Sequence, residues 1–178
     1  MNAFVNSTII VLVLVGLYWS MTAIMSRNRE RVHIALERGS LHFWQDQFDK
    51  AIAAYTEALR LDPQNAYALC WRGAAYCHSH ELEKAIVDLT KSIEIDPKQS
   101  DAWINRAYAY GAKGEHDKAL ADCTEVMRLK PKSSDAFLMR ARAYRHMGEY
   151  DKALADLDEA ERRAPPESSN GTPAATGD

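Results

Sequence analysis

The chain has 178 residues and a mass of 20.0 kDa, room for one ordinary domain with a short excess. Its 22 Lys and Arg against 25 Asp and Glu leave a net charge of -3, which excludes the basic surplus that nucleic-acid binding requires. A hydrophobic content of 47% excludes wholesale disorder, and three cysteines without dense spacing exclude a disulfide framework and fit a reducing compartment.

After a short N-terminal end (residues 1–3), residues 4–25 carry no charge; their densest part runs Ile9 to Val15. As a helix, such a stretch is about 33 Å long, enough for a hydrocarbon core of about 30 Å. Tyr18 and Trp19 lie toward its second half, and Arg27, Arg29 and Arg31 follow in a basic juxtamembrane linker, residues 26–31. We expect an uncleaved single-pass transmembrane anchor that meets the lipid bilayer through 4–25. The rival assignment is a cleaved secretory signal, which would release a secreted or periplasmic module. It wants a basic start and a small-x-small cleavage site, and Met1-Asn2-Ala3 has no basic side chain. The arginines predict an outer N-terminus and a cytoplasmic body. Setting aside those three arginines and Glu30, the rest of the chain carries -5.

Prolines then fall at 63, 97, 131 and 165, a period of 34 residues. Alanines at 51, 85, 119 and 153 and arginines at 38, 72, 106 and 140 keep it. Dividing the chain as 32–65, 66–99, 100–133 and 134–165 aligns the four copies. The fourth position then reads Ala35, Leu69, Trp103 and Phe137, and the eighth reads Gly39, Gly73, Ala107 and Ala141. The eleventh reads His42, Tyr76, Tyr110 and Tyr144, and the twenty-fourth Tyr55, Leu89, Cys123 and Leu157. The pattern resembles the tetratricopeptide repeat (TPR) family. The resemblance implies an all-α fold: a right-handed solenoid of about eight helices, following the transmembrane helix.

The repeat chemistry is steric. A small eighth residue lets the first helix of each hairpin approach the alanine at the twentieth position of the second. Gly114 and Gly148 suit helix ends, because glycine tolerates positive φ. Asp49, Glu83, Asp117 and Asp151 suit the positive starts of second helices. The fourth copy has Glu161 and Arg163 where others are apolar, which predicts a self-capped end. Residues 166–178 read as a disordered tail by composition.

The arginines at 38, 72, 106 and 140 are the most regular charges. Asp88, Asp122 and Asp156 share their period, so the expectation is pairing, at about 0–1 kcal/mol per exposed pair. A ladder for an acidic ligand is the other reading. Cys70 and Cys77, with His78 and His80 following, lack the paired spacing of a zinc site and read as small apolar packers. No glycine-rich phosphate loop or nucleophile motif is present, so no metal, cofactor or enzymatic role is expected.

By the family resemblance, ligands lie in a concave groove lined by the second, fifth, ninth and twelfth positions. The candidates are Leu36, Phe43, Tyr67, Cys70, Ile104, Tyr108, Leu138 and Arg142, each of which could instead pack on a neighbouring repeat. The carboxylate clamp by which some TPR cochaperones hold the C-terminus of heat-shock proteins is missing. Its Lys, Asn, Asn, Lys and Arg positions read Leu36, Ser40, Trp71, Asp101 and Asn105, or, one repeat later, Cys70, Ala74, Asn105, Asp135 and Met139. The expected function is a membrane-anchored scaffold that holds an unknown protein or peptide. An assembly subunit of a membrane or envelope enzyme complex is the further alternative.

Overall fold

The computed structural model describes residues 2–163, with side chains from residue 14 onward. Among these residues there are eight helices and no strand: α1 (Asn2–Phe43), α2 (Phe48–Leu61), α3 (Ala66–His78), α4 (Leu82–Ile95), α5 (Ser100–Ala112), α6 (His116–Leu129), α7 (Ser134–His146) and α8 (Tyr150–Arg163). Each helix packs on the next, and the first helices of neighbouring hairpins also touch, α3 on α5 and α5 on α7. The predicted tail, 166–178, lies outside the described residues.

The first helix departs from expectation. The linker at 26–31 does not interrupt it; α1 runs unbroken for 42 residues, about 63 Å. Ser26-Arg27-Asn28-Arg29-Glu30-Arg31 contains neither Gly nor Pro, so nothing there stops a helix. Packing on the array begins near Val32, Ala35 and Leu36, while Leu17, Tyr18, Trp19, Ile24 and Met25 are exposed. Among the described residues no helix is long and apolar enough to cross a membrane. The expected span of 4–25 lies partly outside them, since the side chains of residues 4–13 are not described.

The joint within each hairpin is as tight as its small residues allow. Ala51, Ala85 and Ala119 are buried beneath the first helices, as are Tyr55, Leu89 and Cys123 at the twenty-fourth position. A Cβ on Gly39 would lie 2.6 Å from the Tyr55 ring, and one on Gly73 would lie 2.6 Å from Leu89 Cγ. The two positions are matched in volume. Glycine faces the large Tyr55 and Leu89; Ala107 faces the smaller Cys123, in the same buried cluster.

All four hairpin turns share one geometry. Asp46, His80, Gly114 and Gly148 hold positive φ of 56°, 60°, 79° and 78°. In each, the next amide donates back to a carbonyl near the helix end: Gln47 to His42, Glu81 to Tyr76, Glu115 to Tyr110 and Glu149 to Tyr144, all at 2.9 Å. The repeat geometry therefore imposes on Asp46 and His80 a conformation that costs a non-glycine residue about 1–2 kcal/mol.

The arginine ladder is structural in three of its four rungs. Arg72, Arg106 and Arg140 each grip both oxygens of Asp88, Asp122 and Asp156 at 2.6–2.8 Å. Arg72 and Arg106 also donate to Thr56 and Thr90 of the preceding repeat at 3.1 Å, so one side chain ties three helices. These are not the weak exposed pairs expected, because Asp88, Asp122 and Asp156 are only 6%, 3% and 5% exposed. Burial pushes the Asp122 carboxyl up, whereas the hydrogen bonds to it raise Arg106. With both carboxylate oxygens held by the guanidinium, the ion pair prevails at neutral pH. Arg38 differs: Ala54 stands where the aspartate would be, and Arg38 reaches only the half-buried Glu57, at 3.4 Å.

The far end is capped by halves. Arg163 lies over the Phe137 ring at 4.6 Å and donates to the Pro131 carbonyl, closing one half as expected. The other half corrects the expectation. Leu138 and Leu157 remain 44% and 45% exposed, because no further helix among the described residues covers them.

Two outcomes follow for unfolding followed by circular dichroism. Gly73→Ala should lower the melting temperature, since overpacking costs about 1–3 kcal/mol against a helix-propensity gain of about 1 kcal/mol. Gly111→Ala, whose Cβ meets nothing within 4 Å, should raise it. Separately, Arg106→Ala should destabilise by about 3 kcal/mol or more by stranding a buried carboxylate. Arg38→Ala, which strands none, should change stability by less than about 1 kcal/mol. Equal losses at the two arginines would contradict the pairing described.

Candidate functional site

The eight groove candidates separate by burial. Cys70 is fully buried and Phe43 is 8% exposed, so neither offers a free surface. Cys70 is covered from the next repeat, where Asn105 lies with its amide 4.0 Å from Sγ; Cys77 points at the Asn105 carbonyl, 3.7 Å away. Burial pushes the Cys70, Cys77 and Cys123 thiols up to about 12, which keeps them protonated and inert. Among the described residues, no group of three or more His, Cys, Asp or Glu is placed to hold a metal ion.

Leu36 and Ile104 are half-buried, and Leu36 packs into the cores of the first two repeats. Tyr67, Leu138 and Arg142 are exposed. Tyr108 is half-buried, with the Arg142 guanidinium 5.8 Å over its ring. The hydroxyls of Tyr55 and Tyr67 both bond Ser40, at 3.2 and 3.3 Å, which holds Tyr67 upright.

The structure also assembles a feature that the repeat positions selected only in part, through Phe43 and Tyr67. The rings of Phe43, Trp44, Trp71 and Tyr67 form a contiguous aromatic patch where α1 ends against α3. Phe43 meets Trp71 at 5.2 Å, Trp44 meets Trp71 at 6.0 Å, and Tyr67 meets Trp71 at 5.9 Å. Phe43 also packs on Phe48 and His78, which stack at 4.6 Å and anchor the patch from below. Trp44 is 74% exposed. The available signal was positional. Trp44 occupies the thirteenth place, filled by His78, Ala112 and His146 elsewhere, and Trp71 the sixth, filled by Glu37, Asn105 and Met139.

The first-helix surface therefore has two characters. Near repeats 1 and 2 it presents aromatic rings with few charges. At repeat 4 it presents Arg142 and Arg145, both exposed.

Comparison with known proteins agrees with this architecture. Residues 39–79 match a family described as TPR repeat, and residues 100–133 and 123–155 match families described as tetratricopeptide repeat. No curated protein sequence matches the chain. Among solved structures, the Arabidopsis OM64 TPR domain is 30% identical, with a TM-score of 0.65, over 67% of this chain and 98% of that one. MamA is 24% identical with a TM-score of 0.69, covering 80% of this chain and 83% of that one. The first TPR domain of Spaghetti (RPAP3), bound to an HSP90 peptide, is 23% identical with a TM-score of 0.60, over 72% and 94%. Four hairpins on one 34-residue register, the matched profiles and the OM64 likeness together settle the family: this chain is a tetratricopeptide repeat protein, built as a protein-interaction scaffold.

Proposed function

We propose that the chain is a membrane-anchored adaptor whose first-helix groove holds a segment of a partner protein close to the bilayer. The aromatic patch carries this reading. Trp44 and Tyr67 are large, rigid and exposed, although a TPR array needs neither for its own packing. Such side chains supply most of the binding energy where interfaces have been dissected. The Spaghetti domain binds an HSP90 peptide. The clamp residues that the family uses for such a C-terminus are replaced here, so the ligand proposed is of another kind. It is an extended or helical segment with apolar side chains for the patch and an acidic group for Arg142 and Arg145.

Anchoring is supported by the uncharged residues 4–25 and the arginines at 27, 29 and 31, which also favour a cytoplasmic array. Confinement at a membrane raises the effective concentration of whatever the groove holds.

The test is capture by crosslinking in intact membranes. Trp44→Ala, Tyr67→Ala and Arg142→Ala should each weaken partner recovery tenfold to a hundredfold, about 1–3 kcal/mol, without changing helical content. Lys50→Ala and Lys118→Ala, at exposed starts of second helices, should leave it unchanged. Deleting residues 1–25 should release the array from the membrane fraction. Groove variants that still bind while the lysine controls fail would move the site to the outer surface.

A further inference from the structure

The two ends of the array are unlike each other, and each presents what an internal joint of the same array conceals. At every internal joint the first helix of a repeat rests on the preceding hairpin through its third and tenth positions. Those positions are Ala68 and Ala75, Ala102 and Ala109, Ala136 and Ala143, all between 0% and 2% exposed. In the first repeat they are Ile34 and Leu41, which have no preceding hairpin and are 51% and 59% exposed. A solenoid end facing only water would be expected to be polar. Here the two joint positions are instead larger and more apolar than any of their internal counterparts.

The opposite end offers the matching seat. Ala143 rests among Ala107, Ala119 and Cys123. One repeat later these positions are Ala141, Ala153 and Leu157, and they line an open cavity of about 300 Å³ together with Leu138, Met139, Arg142 and Arg145. That cavity occupies the place where the tenth position of a following helix would sit. It has room for a leucine where the internal seats take alanine.

The charges agree independently. At two internal joints the seventh-position arginine reaches back to a threonine: Arg72 to Thr56, and Arg106 to Thr90. The corresponding arginine of the first repeat is Arg38, which lacks a buried aspartate of its own and has a side chain 54% exposed. The residue that takes the threonine's place in the fourth repeat is Asp158, also exposed. A joint between the two ends would therefore set Arg38 against an acid. The chain's own residues 164–178 contain no Leu, Ile, Val, Met or aromatic residue to fill the seat.

We propose that copies of this chain associate head to tail, with Ile34, Arg38 and Leu41 of one copy seated on Leu138, Leu157 and Asp158 of the next. The contact joins two different surfaces, so it is heterologous. It closes into a ring or extends as a row, leaving the aromatic patch of every copy outside the contact. It does not depend on the identity of the groove's partner.

The test uses the full chain in mild non-ionic detergent, with cysteines introduced as Leu41→Cys or Leu157→Cys. The native Cys70, Cys77 and Cys123 are buried, so the wild type should stay uncrosslinked under copper-catalysed oxidation. Each single variant alone should also stay monomeric on a non-reducing gel. Mixing the two should give a dimer band, and placing both substitutions in one chain should give a ladder. Arg38→Asp should lower the mixed cross-link at least tenfold, and Asp158→Arg on the other copy should restore it. Self-crosslinking of Leu41→Cys or of Leu157→Cys alone would overturn the proposal in favour of a symmetric contact. A wild type that sediments as a monomer at about 100 μM, with no cross-link in the mixture, would overturn it as well. If position 157 also resists alkylation in that case, the chain's own tail covers the seat instead.

Discussion

Close approach of two helices at a single residue organises this protein. Where the eighth residue of a first helix meets the twentieth and twenty-fourth of the second, the backbones come near enough that a Cβ on Gly73 would strike Leu89. In the first three hairpins the distance fixes how much volume is enclosed, and so which side chains are admitted: glycine with tyrosine or leucine, alanine with cysteine; in the fourth, Ala141 stands with Leu157, which is left 45% exposed. It also brings the seventh-position arginine within reach of an aspartate on the second helix, where a bidentate pair at 2.6–2.8 Å becomes a buried tie. Because Arg72 and Arg106 extend to threonines of the preceding repeat, the same contact transmits the geometry of one hairpin to the next.

Once those demands are met, the side chains left over mark where the molecule acts. The array does not need Trp44 at the end of α1, nor large apolar residues at Ile34 and Leu41 where alanines serve elsewhere. The three residues lie on two different surfaces. The aromatic patch lies where α1 ends against α3, on the proposed groove, whereas the outer face of α1 and the open half of α8 bound the array. On the proposed readings the aromatic end of the groove stays free when two ends meet, whereas Leu138, Arg142 and Arg145 border both the groove and the seat.

Much of this is legible in the sequence because the repeat prints each contact four times. Period alone paired Arg72, Arg106 and Arg140 with their aspartates and located the hairpin turns. It could not report burial, so the pairs looked exposed and weak, and Cys70 looked like groove lining until Asn105 of the next repeat was seen to cover it. Features that occur once were the ones missed. Trp44 and Trp71 sit at positions without a Trp, Tyr or Phe in any other copy, so averaging over repeats hides them. The continuity of α1 was hidden for another reason: a change from apolar to basic residues suggests a boundary, but a helix ends only where Gly, Pro or a cap ends it. The fourth repeat combined both problems, since Glu161 and Arg163 announced a cap while Leu138 and Leu157 left half of the face open.

The central claim is that the eighth and twenty-fourth positions act as one unit of volume. A double-mutant cycle on the second hairpin tests it directly, transplanting the third hairpin's pair through Gly73→Ala and Leu89→Cys. The account expects Gly73→Ala to destabilise the wild type but to be neutral or stabilising in the Leu89→Cys background, with a coupling on the order of 1 kcal/mol. Additive effects, with Gly73→Ala costing the same in both backgrounds, would contradict it.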